Sequence, residues 1–456
     1  MTGITRRRLL ASSALAAFFG GVRPVLAESG GSLPWRNWSG GLVAHPRGRF
    51  APATELELAD FLATTTGSIR PVGSGHSFTP LVPTDGHLVV IDRLAGLIEH
   101  DAGALQATFG AGTRLGDMGA PLEAIGQAMF NLPDIDRQTL AGATATATHG
   151  TGIEFGCLSD YVTNLRLIAP NGESFDVSRE ATPELFDAAR VSVGALGVVT
   201  RMTLQNRGSY RLIQKTWTQK TEEVLESFDE SAAQHRHFEM FPYTHSDYAG
   251  VLATDESDAP TNNPPPSPEA DAAFAQIIKD LSQVPPRERL PIVNSIMGQS
   301  EPSERVDDSY KILTNVRNTR FNEMEYSVPI DAGAPCLREI LKTIIDKEVD
   351  VIFPLEYRYV RRDDTWLSMS TGDEDHAAIS IHRTAGEDYR PYFDLIEPIF
   401  WKYGGRPHWG KVHSLGAAEL TKLYPRFRDF QEIRQSLDPQ GRMLNDHLKK
   451  LFGVTA

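Results

Sequence analysis

The sequence predicts an α+β fold: an α+β first domain, a mixed-sheet second domain, and a helical last stretch. Three observations predict it. Helical and strand-like segments, each closed by a turn signal, alternate up to Leu204. Apolar and polar residues then alternate in several segments between Tyr210 and Tyr403. The last stretch is helical, with Phe427, Phe430 and Ile433 on one face until Asp438-Pro439-Gln440-Gly441 breaks it. The expected divisions are 1–27, 38–206, 207–405 and 406–456.

Residues 1–27 read as an export signal rather than as fold. Thr5-Arg6-Arg7-Arg8-Leu9-Leu10 precedes an apolar, small-residue stretch from Ala11 to Val22, and Val25-Leu26-Ala27 suits cleavage. The adjacent arginines suit twin-arginine export, which carries folded proteins. A basic N-terminus before a membrane anchor is the alternative, but the apolar run is too short for a comfortable span. The expected location is periplasmic or secreted. Cleavage after Ala27 removes Arg6, Arg7, Arg8 and Arg23, taking the formal charge from −14 to −18.

The first domain opens with a helix at Thr54-Glu55-Leu56-Glu57-Leu58-Ala59-Asp60-Phe61-Leu62, capped by Thr54 and stopped near Gly67. Ile69 to Val72, His87 to Ile91 and Leu105 to Phe109 read as strands, and Arg114 to Ile125 as a helix. Asn164 to Ile168 and Ser174 to Val177 flank Pro170-Asn171-Gly172, a hairpin signal. Thr182-Pro183-Glu184-Leu185 starts another helix, with Pro at its first position.

In the middle region, Phe238 to Tyr243, Asn322 to Val328, Val351 to Val360 and Ala377 to His382 read as strands. The acidic, Pro-rich run from Thr254 to Asp271 cannot bury a core and is expected as a surface loop. No internal repeat is visible.

Composition excludes several classes. At 456 residues, with 41% hydrophobic and 23% charged content, the chain is an ordinary globular protein of two or three units. A net charge of −14 argues against nucleic acid or an anionic membrane as partner. Beyond the leader, no apolar run is long enough to span a membrane. The two cysteines, Cys157 and Cys336, build neither a disulfide framework nor a thiolate metal site. No metal site is expected.

Two segments carry the chemistry. In Arg70-Pro71-Val72-Gly73-Ser74-Gly75-His76-Ser77-Phe78, a short strand leads into a Gly-Ser-Gly turn and a histidine. Such a turn brings backbone N–H groups close to an anion such as a diphosphate. A plain turn with a solvated histidine is the bland alternative. Its spacing is neither a Rossmann fingerprint nor a P-loop. Thr139-Leu140-Ala141-Gly142-Ala143-Thr144-Ala145-Thr146-Ala147-Thr148-His149-Gly150-Thr151-Gly152 is almost free of bulk, so its backbone can lie flat against a planar ligand. A buried strand of small residues is the alternative.

Together these segments resemble the vanillyl-alcohol-oxidase (PCMH) type of flavoprotein, which implies a two-part, non-Rossmann FAD-binding domain to which the C-terminal tail returns. Within it they are similar to the sugar-1,4-lactone oxidase and alditol oxidase family, which includes D-arabinono-1,4-lactone and L-gulono-1,4-lactone oxidases. Further matches are Val193 to Thr200, Met324 to Pro329, Leu355 to Val360 and His408-Trp409-Gly410-Lys411, in that order from about Trp38 onward. The resemblance implies FAD, covalently attached through His76. It implies a diphosphate loop of Pro71, Val72, Gly73, Ser74, Gly75, His76 and Ser77. It implies that Thr139, Gly142, Ala143, Thr144, Ala147, His149, Gly150, Thr151 and Gly152 form a strand and loop along the flavin, with Val198 also in contact. The family attaches its flavin through histidine alone, which sets Cys157 aside.

Glu356 and Arg358 are two apart on an expected strand and share a face. An exposed strand-edge ion pair is the bland reading. The resemblance instead puts both in the substrate site. Lys411 after a glycine is ordinarily a solvated charge; the resemblance puts it beside flavin N1. Ser380 and His382 also share a strand face and are assigned to the substrate pocket, with Thr139. His382 is the base candidate, because its ordinary pKa lies near neutrality. The function implied is oxidation of a hydroxyl of a sugar-1,4-lactone or polyol, with oxygen as acceptor giving hydrogen peroxide. The alternatives are an alditol oxidase, a dehydrogenase using a cytochrome or quinone, and an inactive carbohydrate-binding protein.

Overall fold

The computed structural model describes residues 33–264, 276–315 and 319–454. The export signal expected over 1–27 and residues 265–271 of the acidic run lie outside the described residues.

The fold is α+β, and its first part is built on two small sheets. Gly48–Phe50, His87–Val90 and Ile69–Val72 form a three-stranded parallel sheet. The helix Glu55–Thr64 covers it. Thr54 caps that helix by accepting from the Glu57 N–H at 3.1 Å. Leu58 and Leu62, one turn apart, are fully buried against Ile69 and Val89. Each such leucine contributes about 1.5–3 kcal/mol by leaving water. The second sheet is antiparallel, in the order Ser174–Ser178, Val162–Ile168, Val198–Gln205, Gln106–Gly110, Leu97–Asp101. The expected hairpin closes it, with Gly172 at φ 85°.

Three local expectations change. Arg114 to Ile125 is not one helix but a 3₁₀ turn, Leu115–Asp117, and a short helix, Gly119–Ala124. Gly116, Gly119 and Pro121 weaken a continuous helix. Gly119 is required where it stands, because a Cβ there would meet the Tyr310 ring at 2.4 Å. Thr182 starts the helix Pro183–Arg190 without capping it; its hydroxyl donates back to the Ser178 carbonyl at 3.3 Å. Thr139 to Gly152 does not begin as a strand. Leu140–Ala145 is helical, with Thr139 accepting from the Gly142 N–H at 3.2 Å. Alanine's helix propensity and a threonine cap outweigh the Thr/Ala alternation.

The middle region forms an eight-stranded sheet in the order Ser303–Asp308, Arg211–Lys220, Tyr248–Glu256, His237–Pro242, Glu356–Val360, His376–Thr384, Phe321–Pro329, Arg406–Pro407. Its ladders are all antiparallel, rather than mixed as the alternating segments suggested. Thr254 to Glu256 belong to a strand of this sheet, so the acidic loop starts later than expected. The strand Glu356–Val360 is internal, with a neighbour on either side.

After Asp438 the tail packs on the first part. The Ile69 N–H donates to the Arg442 carbonyl at 2.8 Å, and Arg442 donates to the Pro170 carbonyl at 2.8 Å. Asn445 donates to the carbonyls of Pro80 and Pro83, both at 2.8 Å.

Candidate active site

The two motif segments meet because Gly73 has no side chain. A Cβ there would lie 2.1 Å from the Thr139 hydroxyl. Gly75 turns the chain at φ 69°, in the left-handed region that favours glycine. Together they line a cavity that, with its open mouth, holds about 840 Å³ of space. Pro71, Val72, Gly73, Ser74, Gly75, His76 and Ser77 form one wall; Thr139, Gly142 and Val198 are on the others.

Not every residue expected there is. Ala143, Thr144 and Ala147 are fully buried away from the cavity: the helix turns the first two toward the core, and Ala147 follows its end at φ 55°. The Thr144 hydroxyl bonds back to the Leu140 carbonyl at 3.0 Å. His149, Gly150, Thr151 and Gly152 run on to the large sheet instead. There His149 Nε2 lies 2.8 Å from Glu325 Oε1, Thr151 donates to Glu239 at 2.6 Å, and the Gly152 N–H donates to the Tyr359 carbonyl at 2.9 Å.

On the large sheet, strand register assembles a charged face. Glu325 lies opposite Ser380, and Ser380 opposite Glu356. One step along, Glu323 lies opposite His382; one step the other way, Arg358 lies opposite Glu239. Arg358 Nη1 is 2.8 Å from Glu356, and Nη2 is 3.1 Å from Glu325. Ser380 donates to Glu325 at 2.7 Å. Lys411 is bonded to Glu323. A carboxylate oxygen each from Glu323 and Glu356 and a ring nitrogen of His382 lie within 4.8 Å of one another. Glu356 and Arg358 are 8% and 7% exposed, so the pair is buried and not the strand-edge pair of the bland reading.

A line of aromatic rings joins cavity and sheet. His76 stacks on Trp38 at 5.1 Å, Trp38 meets Phe321 at 5.2 Å, and Phe321 meets His382 at 5.1 Å. Burial, with Lys411, Arg114 and Arg137 nearby, holds the His76 ring down at about 4, so it is neutral at pH 7. Burial pushes the Glu356 carboxyl up to about 8 against the pull of Arg358. Glu325 goes the other way: despite burial, His149, Arg358 and His408 hold it well below the usual carboxylate range. The Cys157 thiol is raised by burial and meets Ser368 at 3.3 Å, away from the cavity.

Sequence reading missed several participants. Arg70 is 1% exposed and donates to the carbonyls of Leu81, Val193 and Gly194, each at 2.8 Å, clamping two cavity walls together. An arginine inside an apolar strand was the available signal. Gln138, Ser192 and Gly194 also line the cavity. Glu239, Glu323 and Glu325 complete the charged face; Glu323 and Glu325 alternate on one strand, which could have marked them.

A family profile described as D-arabinono-1,4-lactone oxidase matches residues 202–451. Another, described as an FAD binding domain, matches residues 46–178. The chain belongs to the D-arabinono-1,4-lactone oxidase family. It is 34% identical over 430 residues to an L-gulono-1,4-lactone dehydrogenase of Mycobacterium tuberculosis, covering 92% of this chain and 99% of the relative. It is 29% identical to an L-gulonolactone oxidase of Scyliorhinus torazame, covering 92% and 98%. An alditol oxidase of Streptomyces is 28% identical, covering 91% and 98%. The cholesterol oxidase structure from Brevibacterium sterolicum has the same fold, with TM-score 0.74 at 17% identity, covering 92% of this chain and 96% of that one.

Membership of this family makes the protein an FAD-linked oxidoreductase acting on CH–OH donors. The cavity fits that cofactor. Ser74 Oγ and Gln138 Oε1 are buried in its walls with no protein partner, as polar groups awaiting a ligand are. Gly73, Gly142, Gly194 and Gly197 also line it. Among the described residues, no helix is long and apolar enough to cross a membrane.

Proposed function

We propose that this lactone-oxidase family member oxidises a hydroxyl of a sugar-1,4-lactone, with FAD attached through His76 and oxygen as the acceptor giving hydrogen peroxide. We place it in the periplasm or outside the cell, after removal of residues 1–27. One observation carries the substrate class. The acceptor atoms of Glu323, Glu356 and His382 converge within 4.8 Å, beside a buried Arg358 Nε–H that has no protein partner. Several acceptors and one donor on a small face match adjacent hydroxyls and a carbonyl or ring oxygen.

FAD, when bound, supplies the two-electron acceptor. Arg358 is held by carboxyl groups at both terminal nitrogens, which leaves Nε–H to donate to a substrate oxygen. His382 Nδ1 lies 3.1 Å from the Pro354 carbonyl, which only accepts, so Nδ1 carries a proton and Nε2 is the ring nitrogen on the Glu323 side. His382 Nε2 is therefore the group to take the hydroxyl proton, with Glu323 3.8 Å away to stabilise the charge that results. Lys411 keeps a fixed cation between Glu323 and the His76 side of the site.

A panel of aldonolactones and polyols, scored in parallel for peroxide and for dye reduction, tests the reading. Peroxide formation with a lactone is the expected result. Dye reduction without peroxide would favour a dehydrogenase, a second reading supported by the name of the 34% identical relative. Preference for open-chain polyols would favour an alditol oxidase. No reduction with any donor would leave only a carbohydrate-binding protein.

A further inference from the structure

We propose that Glu325 is a positioning residue that aims Arg358, and that through His149 it ties Arg358 to the cofactor side of the site. The inference rests on the reading of Arg358 as a substrate contact.

Glu325 is 1% exposed yet accepts from three groups on three different elements. His149 meets Oε1 at 2.8 Å; Arg358 and Ser380 meet Oε2 at 3.1 and 2.7 Å. His149 stands at the end of the segment whose start, Thr139 and Gly142, lines the cofactor cavity. Its other ring nitrogen, Nδ1, lies 3.0 Å from the Gly150 carbonyl. Both ring nitrogens thus face acceptors, which orients the ring from two sides.

Arg358 is held at two points, Glu356 on its own strand and Glu325 two strands away. A guanidinium is planar, so two held terminal nitrogens define where its Nε–H points. With Glu356 alone the plane can swing about the one remaining contact. Glu325 removes that freedom. Ser380 sits between the two carboxylates in the ladder and spends its proton on Glu325, leaving its oxygen to accept from a substrate hydroxyl.

Glutamine at position 325 can preserve the shape of this network. Its carbonyl oxygen can accept from Arg358 and Ser380, with its amide nitrogen taking the place of Oε1 beside His149 Nε2. Glu325→Gln therefore removes the charge that grips Arg358 without emptying the site. The test is a double-mutant cycle of Glu325→Gln and Arg358→Ala in the flavin-loaded enzyme, reading kcat, KM, bound flavin and Tm. Glu325→Gln alone is expected to lower kcat on the order of 10-fold or more while flavin content stays near wild type, as loss of orientation does. In the Arg358→Ala background the same change is expected to alter kcat/KM less than about twofold, because the group it acts through is gone.

Equal losses in both backgrounds, or a loss of bound flavin that tracks the loss of rate, would overturn the proposal and make Glu325 a support of the fold. If no donor in the substrate panel reduces the wild-type enzyme, the functional reading has failed, and the stability cycle alone judges Glu325. Tm shifts of the double variant well short of the sum would support the clamp; additive shifts would refute it.

Discussion

Arg358 Nη1 lies 2.8 Å from Glu356 Oε1, two residues away on an internal strand, and Glu325 holds the same guanidinium from the other side at 3.1 Å. Arg358→Ala removes at once the partner of the buried Glu325 carboxylate and of the Glu356 carboxyl group. It is expected to lower kcat/KM by about 10²-fold or more. It is also expected to destabilise the fold, by about 3–5 kcal/mol for a broken buried pair. Stopped-flow reduction without oxygen and a thermal melt measure the two effects; a near-normal reduction rate would put Arg358 outside the chemistry.

Glu356 makes stability depend on pH. Its carboxyl is raised from 4.5 to about 8 by burial. Between those values the folded chain holds a proton that the unfolded chain has lost. The contribution is complete below about pH 4.5 and disappears as pH rises through about 8. Glu356→Gln stays neutral throughout, so the wild-type Tm should fall relative to the variant from pH 5 to pH 9. A constant Tm difference across that range would contradict the assignment.

Attachment of the flavin through His76, as proposed, has a direct test. The His76 ring is neutral at pH 7 and lies in the cavity wall, stacked on Trp38. Purified protein should stay yellow through acid precipitation and denaturing electrophoresis, and His76→Ala should release its flavin. Free flavin in the wild-type acid supernatant would disprove attachment.

Lys411→Met strands Glu323, whose side chain is 4% exposed. Reduction by substrate should slow and Tm should drop together. Adding Glu323→Gln should restore much of the Tm, since no unpaired charge remains buried, but not the rate. Recovery of both would mean that Lys411 acts only by neutralising Glu323.

Replacing Arg6, Arg7 and Arg8 by Lys should trap flavin-loaded, uncleaved protein in the cytoplasm. Cell fractionation with an activity stain reads the outcome. Unchanged periplasmic activity would refute twin-arginine export.

Much of the fold is local and was therefore legible. The Thr54 cap, the Pro170-Asn171-Gly172 hairpin and the Phe427 helix depend on neighbours within a few residues. Thr139 to Gly152 was misread because small residues suit helix and strand almost equally, and a single threonine cap decided between them.

The sequence by itself determined the α+β class, the glycine turn before His76, and the placing of Glu356 and Arg358 on one strand face, since period two and turn chemistry are written in adjacent residues. Only the tertiary structure decided which charges meet. Glu325, Ser380 and Glu356 share a rung because three strands pair in one register, and His149 reaches Glu325 from 176 positions away. Ladder register and the burial that shifts Glu356 and Glu325 in opposite directions are set by packing over long sequence separations. No local pattern encodes them.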